Sequence, residues 1–116
     1  MYSQELIKGT LQTIILKLLS ENERMYGYEI TRKVKEITKK KINITEGALY
    51  PALHKMVANN LLQTETVNIG KRIRKYYSLT NDGTNTAQQK VAEFADFLKT
   101  MSGLLNLKPN FQISWI

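Results

Sequence analysis

Residues 45–56 read TEGALYPALHKM, a stretch of helical spacing with a proline in its second turn. Thr45 is suited to the N-cap position, because its hydroxyl can accept a hydrogen bond from a free N–H of the first turn. Pro51 has no N–H for the carbonyl of Gly47, and its ring crowds that carbonyl, so an interior helical position costs about 3 kcal/mol. We therefore expect a tight or 3₁₀-like turn over residues 46–50 and a regular helix from Pro51 onward.

The two sides of this helix differ in chemistry. At 100° per residue, one side collects the apolar residues Leu49, Ala52, Leu53 and Met56. The other side collects Gly47, Tyr50, Pro51, His54, Lys55 and Ala58. This second side is neither charged throughout nor fully apolar. It fits either a surface that meets a partner, or a core helix begun by Pro51 with Tyr50 turned inward.

The rest of the chain supplies two further helices, a hairpin and a long last helix. Apolar spacing predicts helices over about 4–20 and 26–40, the second with Tyr26 on its apolar face. KINI (41–44) alternates enough for a very short strand or an extended link. The runs LLQTETV (61–67) and RIRKYYSL (72–79) flank NIGK, which suits a hairpin tip. In the second run, alternation with Ile73 and Leu79 places Tyr77 on the inner face and Tyr76 on the outer face. Thr80 is expected to cap a helix from Asn81, interrupted near Gly83 and weakened at Gly103. This order predicts a mainly α (α+β) fold, a winged helix-turn-helix with a long C-terminal helix.

Composition excludes several classes of protein. The 116 residues fit one domain, and with no cysteine and a single histidine they offer no disulfide, no thiolate and no histidine cluster for a metal. We expect neither an enzyme nor a cofactor. No apolar run reaches the roughly 18 residues of a membrane span, and MYSQELIKG lacks a basic and then apolar leader, so we expect a cytoplasmic protein without membrane association.

The positive charge of the chain is concentrated in its middle. The net charge is +7, and residues 24–75 hold twelve Lys and Arg against four Glu. This basic segment is typical of a protein that binds a polyanion, although a solvated face has a similar composition. The densest part is the hairpin, with Lys71, Arg72, Arg74 and Lys75. These cations suit phosphates or the minor groove, or they protect an edge strand from aggregation. Lys39, Lys40 and Lys41 have two possible roles: they can stabilise the negative end of the second helix, or they can contact phosphates.

The last helix carries an apolar seam that predicts a second subunit. Its members are spaced 4, 3, 4, 3 and 4 residues apart: Ala87, Val91, Phe94, Leu98, Met101 and Leu105. Packing on the chain's own core is the alternative. We expect Leu11 and Ile15 of the first helix to face Phe94, Phe97 and Met101 across a two-fold interface. Such an interface would hold either a slot for a flat aromatic effector or a filled core.

Three segments resemble the PadR-like transcriptional regulators in order and spacing: KGTLQTIILKLLSENERMYGYEI (8–30), ITEGALYPALHKM (44–56) and RKYYSLTNDG (74–83). The resemblance implies a dimeric repressor that binds pseudo-palindromic double-stranded DNA and that a small aromatic or hydrophobic compound releases. It makes 45–56 the recognition helix, with Thr45, Gly47, Ala48, Tyr50, Pro51, His54 and Lys55 toward DNA.

The resulting division is a DNA-binding domain over 1–80, a dimerisation helix over 81–107 and a tail over 108–116. A winged-helix module that binds only proteins is the alternative function, and it would leave the basic hairpin dispensable.

Overall fold

The computed structural model describes residues 2–108 of the chain. Along the sequence the elements are α1 (Gln4–Glu21), β1 (Met25–Tyr26), α2 (Gly27–Ile37), α3 (Glu46–Ala58), β2 (Leu62–Ile69), β3 (Arg72–Leu79) and α4 (Asn81–Leu104). The strands form one antiparallel sheet in the order β1-β3-β2. The predicted winged helix-turn-helix with a long C-terminal helix is confirmed.

The core lies where α1, α2 and α3 meet the inner face of the sheet. Ile15, Leu16, Ile30, Leu49 and Leu53 are fully buried there. Tyr77 of β3 closes the core from the sheet side, as strand alternation predicts. Helix α3 packs its apolar side against this core, and its other side therefore faces outward.

The third strand of the sheet does not come from the predicted segment. KINI (41–44) forms no strand, whereas Met25 and Tyr26 pair with Tyr77 and Tyr76 of β3. Tyr26 therefore belongs to β1 and to the N-cap of α2, not to the apolar face of a helix. A strand of two residues is too short to produce a periodic pattern, so the sequence gives no sign of it.

Helix α2 ends at Ile37, earlier than predicted. Lys39 and Lys40 take positive φ values of 52° and 66°. The Lys40 N–H donates to the Lys35 carbonyl at 2.8 Å and the Lys39 N–H to the Glu36 carbonyl at 3.3 Å, which is the Schellman arrangement of a helix end. The turn to α3 thus begins inside the run of lysines.

Helix α4 is continuous through Gly83, where an interruption was predicted. The Thr80 hydroxyl accepts from the Gly83 N–H at 2.9 Å and caps the helix. A Cβ added at Gly83 would overlap the Leu61 carbonyl oxygen. The glycine is therefore present because α4 passes very close to the backbone before β2, and not because the helix breaks there.

The prediction of a tail over 108–116 falls almost entirely outside the described residues. Within residues 2–108, no helix is both long enough and apolar enough to cross a membrane.

Candidate nucleic-acid interface

Helix α3, the predicted recognition helix, begins as its cap predicts. The Thr45 side-chain oxygen accepts from the Ala48 N–H at 3.2 Å, and the Thr45 carbonyl accepts from the Leu49 N–H at 2.9 Å. Leu49, Leu53 and Met56 anchor the helix in the core. Thr45, Gly47, Tyr50, Pro51, His54 and Lys55 are exposed on the other side, with Ala48 half-buried.

The expected start of the regular helix at Pro51 is wrong. The α-helix runs from Glu46, and Pro51 is its sixth residue. The missing N–H leaves only the Gly47 carbonyl without its helical donor, and because Gly47 is exposed, water can solvate that carbonyl. A Cβ added at Gly47 would meet nothing within 4 Å, so the outer side of this first turn is open to a bound molecule.

Tyr50 occupies a position between the two predicted alternatives. Its side chain is 37% exposed, and its ring lies directly on Gly27, where an added Cβ would overlap the hydroxyl and the ring. Tyr50 therefore fixes α3 against the start of α2 and keeps one edge in solvent. Burial raises the pKa of the Tyr77 phenol in the core, and its electrostatic interaction with Tyr50 raises it further.

The hairpin of β2 and β3 forms the wing. Gly70 takes a φ of 61° at the two-residue turn between Ile69 and Arg72, which is the conformation such a turn requires at its first central residue. Lys71, Arg72 and Lys75 are exposed. Ile73, predicted on the inner face, is 73% exposed because the hairpin extends beyond the core.

The wing and the recognition helix line a common cleft of about 690 Å³. Tyr50, His54, Arg72, Arg74 and Lys75 all border it, so residues separated by more than 20 positions in the sequence are brought together. Gly47, Ala48, Pro51 and Lys55 instead border a second groove, of about 470 Å³, between α3 and α1. Thr45 and Lys71 border neither of these hollows.

Arg74 differs from the other wing cations. It is half-buried, its guanidinium lies 4.0 Å from the ring centre of Tyr26, and it donates to the Tyr76 hydroxyl at 3.5 Å. That hydrogen bond is the main reason why the pKa of Arg74 is raised. Sequence reasoning identified Arg74 by its charge and missed its partner Tyr26, as well as Tyr28, which also borders the cleft.

The residues predicted for the dimer separate into two groups. Leu11 and Ile15 lie in the core of their own chain and cannot face a partner, so that part of the prediction is wrong. The reason is that the apolar stripe of α1 is broad, and this part of it packs inward. Ile14 and Leu18 are the apolar α1 residues that, together with Phe94, line a groove of about 410 Å³ between α1, α2 and α4.

The predicted residues of α4 divide between half-buried and exposed positions. Val91 and Phe94 are half-buried and line that groove. Phe97 is 52% exposed and stacks on Phe94 with ring centres 6.2 Å apart. Leu98 is also exposed, and Met101 is half-buried.

These features define a winged helix-turn-helix protein with a basic cleft and an additional apolar helix. The sequence matches the transcriptional regulator PadR-like family over residues 15–89. The chain therefore belongs to the PadR-like family, whose members are DNA-binding transcriptional regulators and not enzymes.

Solved structures of similar proteins agree with this assignment. A transcriptional regulator from Clostridium thermocellum is 30% identical, with a TM-score of 0.80 over 89% of this chain and 97% of the other. A PadR family regulator from Clostridium difficile is 33% identical, with a TM-score of 0.72 over 84% and 99%. One from Eggerthella lenta is 29% identical, with a TM-score of 0.73 over 93% and 88%.

Proposed function

We propose that the protein is a homodimeric, sequence-specific repressor that binds a pseudo-palindromic operator in the cytoplasm and that a small aromatic or hydrophobic compound releases. The observation that carries the DNA-binding part is the common cleft of α3 and the wing. An outward recognition helix with small residues at its start and a basic hairpin beside it are suited to adjacent grooves of one duplex.

The residues of the interface divide by what they can recognise. His54 and Tyr50 lie on the outer side of α3, where hydrogen-bonding groups can meet base edges in the major groove. Arg72, Lys75 and Lys71 are exposed on the wing and suit phosphates or the minor groove. Thr45, Gly47, Ala48, Pro51 and Lys55 form the surface that approaches the groove.

The homodimer is supported by the apolar end of α4. Phe97, Leu98, Leu104 and Leu105 are exposed along about two turns of one helix, which is the kind of surface that marks an association site. The groove beside Phe94, lined almost entirely by apolar atoms, offers a second copy a place for these side chains. A two-fold dimer would present two recognition helices to half-sites about one helical turn apart.

The effector is supported by the same region. Phe94 and Val91 line the apolar groove together with Ile37, and Phe97 stacks on Phe94 at its edge. Aromatic and aliphatic walls suit a flat apolar compound. Such a compound would lower DNA affinity by favouring a different separation of the recognition helices. Calorimetry with planar aromatics should give about one molecule bound per dimer, and uniform absence of heat would contradict this part.

The DNA proposal is tested by selection from random duplexes followed by titration of the selected site. If each subunit neutralises about four phosphates, log K should fall against log salt with a slope of about −7. Arg72→Ala should weaken all sequences alike, whereas His54→Ala should change the preferred sequence. Lys99→Ala, which removes an exposed cation from α4, is the matched control and should bind normally. Equal affinity for selected and random duplexes would contradict the repressor and favour a protein-binding module.

A further inference from the structure

Four side chains on the outer face of the sheet form a cross-strand cluster, which we call the arginine–tyrosine cluster: Arg24, Tyr26, Arg74 and Tyr76. Tyr26 and Tyr76 are directly paired across β1 and β3, and their rings meet edge to face with centres 5.6 Å apart. Arg74 of β3 lies 4.0 Å from the ring centre of Tyr26, and Arg24 lies 4.1 Å from that of Tyr76. Each arginine therefore covers the tyrosine of the other strand.

The cluster supplies side-chain contacts to a strand pair that has little backbone pairing. β1 has only two residues, so few main-chain hydrogen bonds can hold it to β3. Arg24 also forms an ion pair with Glu65, the one carboxylate of β2 and β3, and thus reaches the far strand of the sheet. The three strands are tied together by side chains on a face that lies away from the core.

The side chains of Arg24 and Arg74 are therefore both held by other residues of the same chain. The charge of Arg24 is matched by Glu65, and the guanidinium of Arg74 is held between the Tyr26 ring and the Tyr76 hydroxyl. Arg72 of the same strand is exposed and appears in none of the ion pairs or cation–π contacts of the described residues. Lys75 is also exposed, with its ammonium 5.7 Å from the ring centre of Tyr77. The wing thus contains one guanidinium held by tyrosines, that of Arg74, and one without such contacts, that of Arg72.

The cluster is continuous with the recognition helix. Tyr26 is followed directly by Gly27, the first residue of α2, and the Tyr26 N–H donates to the Glu29 carboxylate at 3.1 Å. Tyr50 of α3 lies on Gly27. A series of contacts therefore runs from α3 through Gly27 and Tyr26 to Arg74 and the wing.

We propose that the arginine–tyrosine cluster sets the angle between the wing and the recognition helix, and that Arg74 is a positioning residue and not a phosphate contact. This inference rests on the proposed DNA-binding function for its consequence, since a displaced wing would no longer reach its groove when α3 is in place. It concerns the chain itself, however, and can be measured without DNA.

The first experiment measures the wing directly. The chain has no cysteine, so the exposed residues Ala58 of α3 and Asn68 of the wing can be replaced by cysteines and spin-labelled without further changes. Labelled protein diluted with unlabelled protein should give one narrow distance distribution. Arg74→Lys and Tyr26→Leu should each broaden it, and Arg72→Lys should not. An unchanged distribution in both cluster variants would overturn the proposal, whatever the protein does with DNA.

The second experiment uses charge-conserving variants in DNA titration. Arg74→Lys should lower operator affinity about tenfold with the salt slope unchanged, and Arg72→Lys should lower it less than about threefold. Combining Arg74→Lys with Tyr26→Leu should add little to either change alone, because both remove the same contact. Wild-type affinity for Arg74→Lys, together with a salt slope reduced by about two for Arg74→Ala, would make Arg74 a phosphate contact and overturn the proposal.

The two experiments also separate this inference from the proposed function. Broadened distances in a protein that binds no duplex would reject the repressor and retain the positioning role. Circular dichroism melting of each variant checks that the body is folded, and Tyr26→Phe, which keeps the ring, should retain the narrow distance distribution of the wild-type protein.

Discussion

The proposed DNA-facing surface and the C-terminal half of α4 differ in what completes them. The first rests on the core of its own chain, since α3 is anchored by the fully buried Leu49 and Leu53 and the wing by Tyr77. The second has large apolar side chains at its surface, with Leu104 75% exposed and Leu105 53% exposed. Burial of such side chains is favourable by about 1.5–3 kcal/mol each, so a surface of this kind gains from a partner.

We expect the two surfaces to respond to different substitutions. Substitutions near α3 and the wing should alter DNA binding or the stability of one subunit. Substitutions in the last turns of α4 should alter association and leave the fold of one subunit intact.

The largest effect is expected from Phe97→Asp. A carboxylate at this position would be forced out of water in a dimer interface without a cationic partner, at a cost of about 3 kcal/mol or more, so the dimer should weaken at least about 100-fold. Phe97 is half exposed in the single chain, so the melting of the fold should change little. Sedimentation velocity over a concentration series measures the association.

Gln88→Asp is the control for that change. It adds the same charge to an exposed position on the opposite side of α4, nine residues before Phe97, and it should leave association unchanged. A Phe97→Asp variant that sediments as the wild-type protein does would place the interface elsewhere and remove the distinction between the two surfaces.

The junction between the two regions is tested by a pair of glycines in α4. Gly83→Ala should lower the free energy of unfolding by about 2–3 kcal/mol, because its Cβ would overlap the Leu61 carbonyl and force the helix away from the body. Gly103→Ala meets nothing within 4 Å and should raise the stability by up to about 1 kcal/mol through helix propensity. Urea denaturation of both variants measures these changes, and a loss of equal size in both would contradict the close approach at Gly83.

The sequence predicted the features that depend on local chemistry. Thr45 and Thr80 cap their helices because a side-chain oxygen needs only the next turn of backbone. The alternation of RIRKYYSL placed Tyr77 inside and Tyr76 outside. The order of these elements along the chain was sufficient to predict the winged helix-turn-helix.

The features that it missed depend on distant parts of the chain. Leu11 and Ile15 belong to an α1 stripe wide enough for several neighbours, and periodicity cannot say which neighbour takes which residue. Gly83 was read as a break because glycine weakens helices, while its actual cause is a carbonyl 22 residues earlier. The shape of the cleft depends on how β1 pairs with β3, and a strand of two residues is too short for the sequence to predict that pairing.

The burial of Tyr77 in the core can be tested by alkaline denaturation. Burial raises the pKa of Tyr77 in the folded protein above its ordinary value of about 10. The unfolded chain therefore loses this proton first, so the contribution of Tyr77 is complete below about pH 10 and falls as the pH rises toward the folded pKa. One proton gives a slope of at most about 1.4 kcal/mol per pH unit.

Tyr77→Phe provides the comparison for this titration. Urea denaturation between pH 9 and 11 should show a smaller loss of stability per pH unit in this variant than in the wild-type protein. Identical slopes in the two proteins would mean that the Tyr77 phenol ionises as easily in the folded chain as in the unfolded one.

The smallest effect is expected from Lys39→Gly, at the end of α2. Lys39 occupies the left-handed position of the Schellman turn with a φ of 52°, where an L side chain is strained and glycine is not. Glycine also costs backbone entropy, so the net gain in unfolding free energy should be about 0.5–1 kcal/mol. Lys41→Gly removes the same charge at an exposed position outside the positive-φ region, and it should give no such gain. If Lys39 serves the turn alone, both variants should keep the wild-type salt slope for DNA, and melting curves should show the gain for Lys39→Gly only. A flatter salt slope for Lys39→Gly would instead make this lysine a phosphate contact and extend the DNA-facing surface to the end of α2.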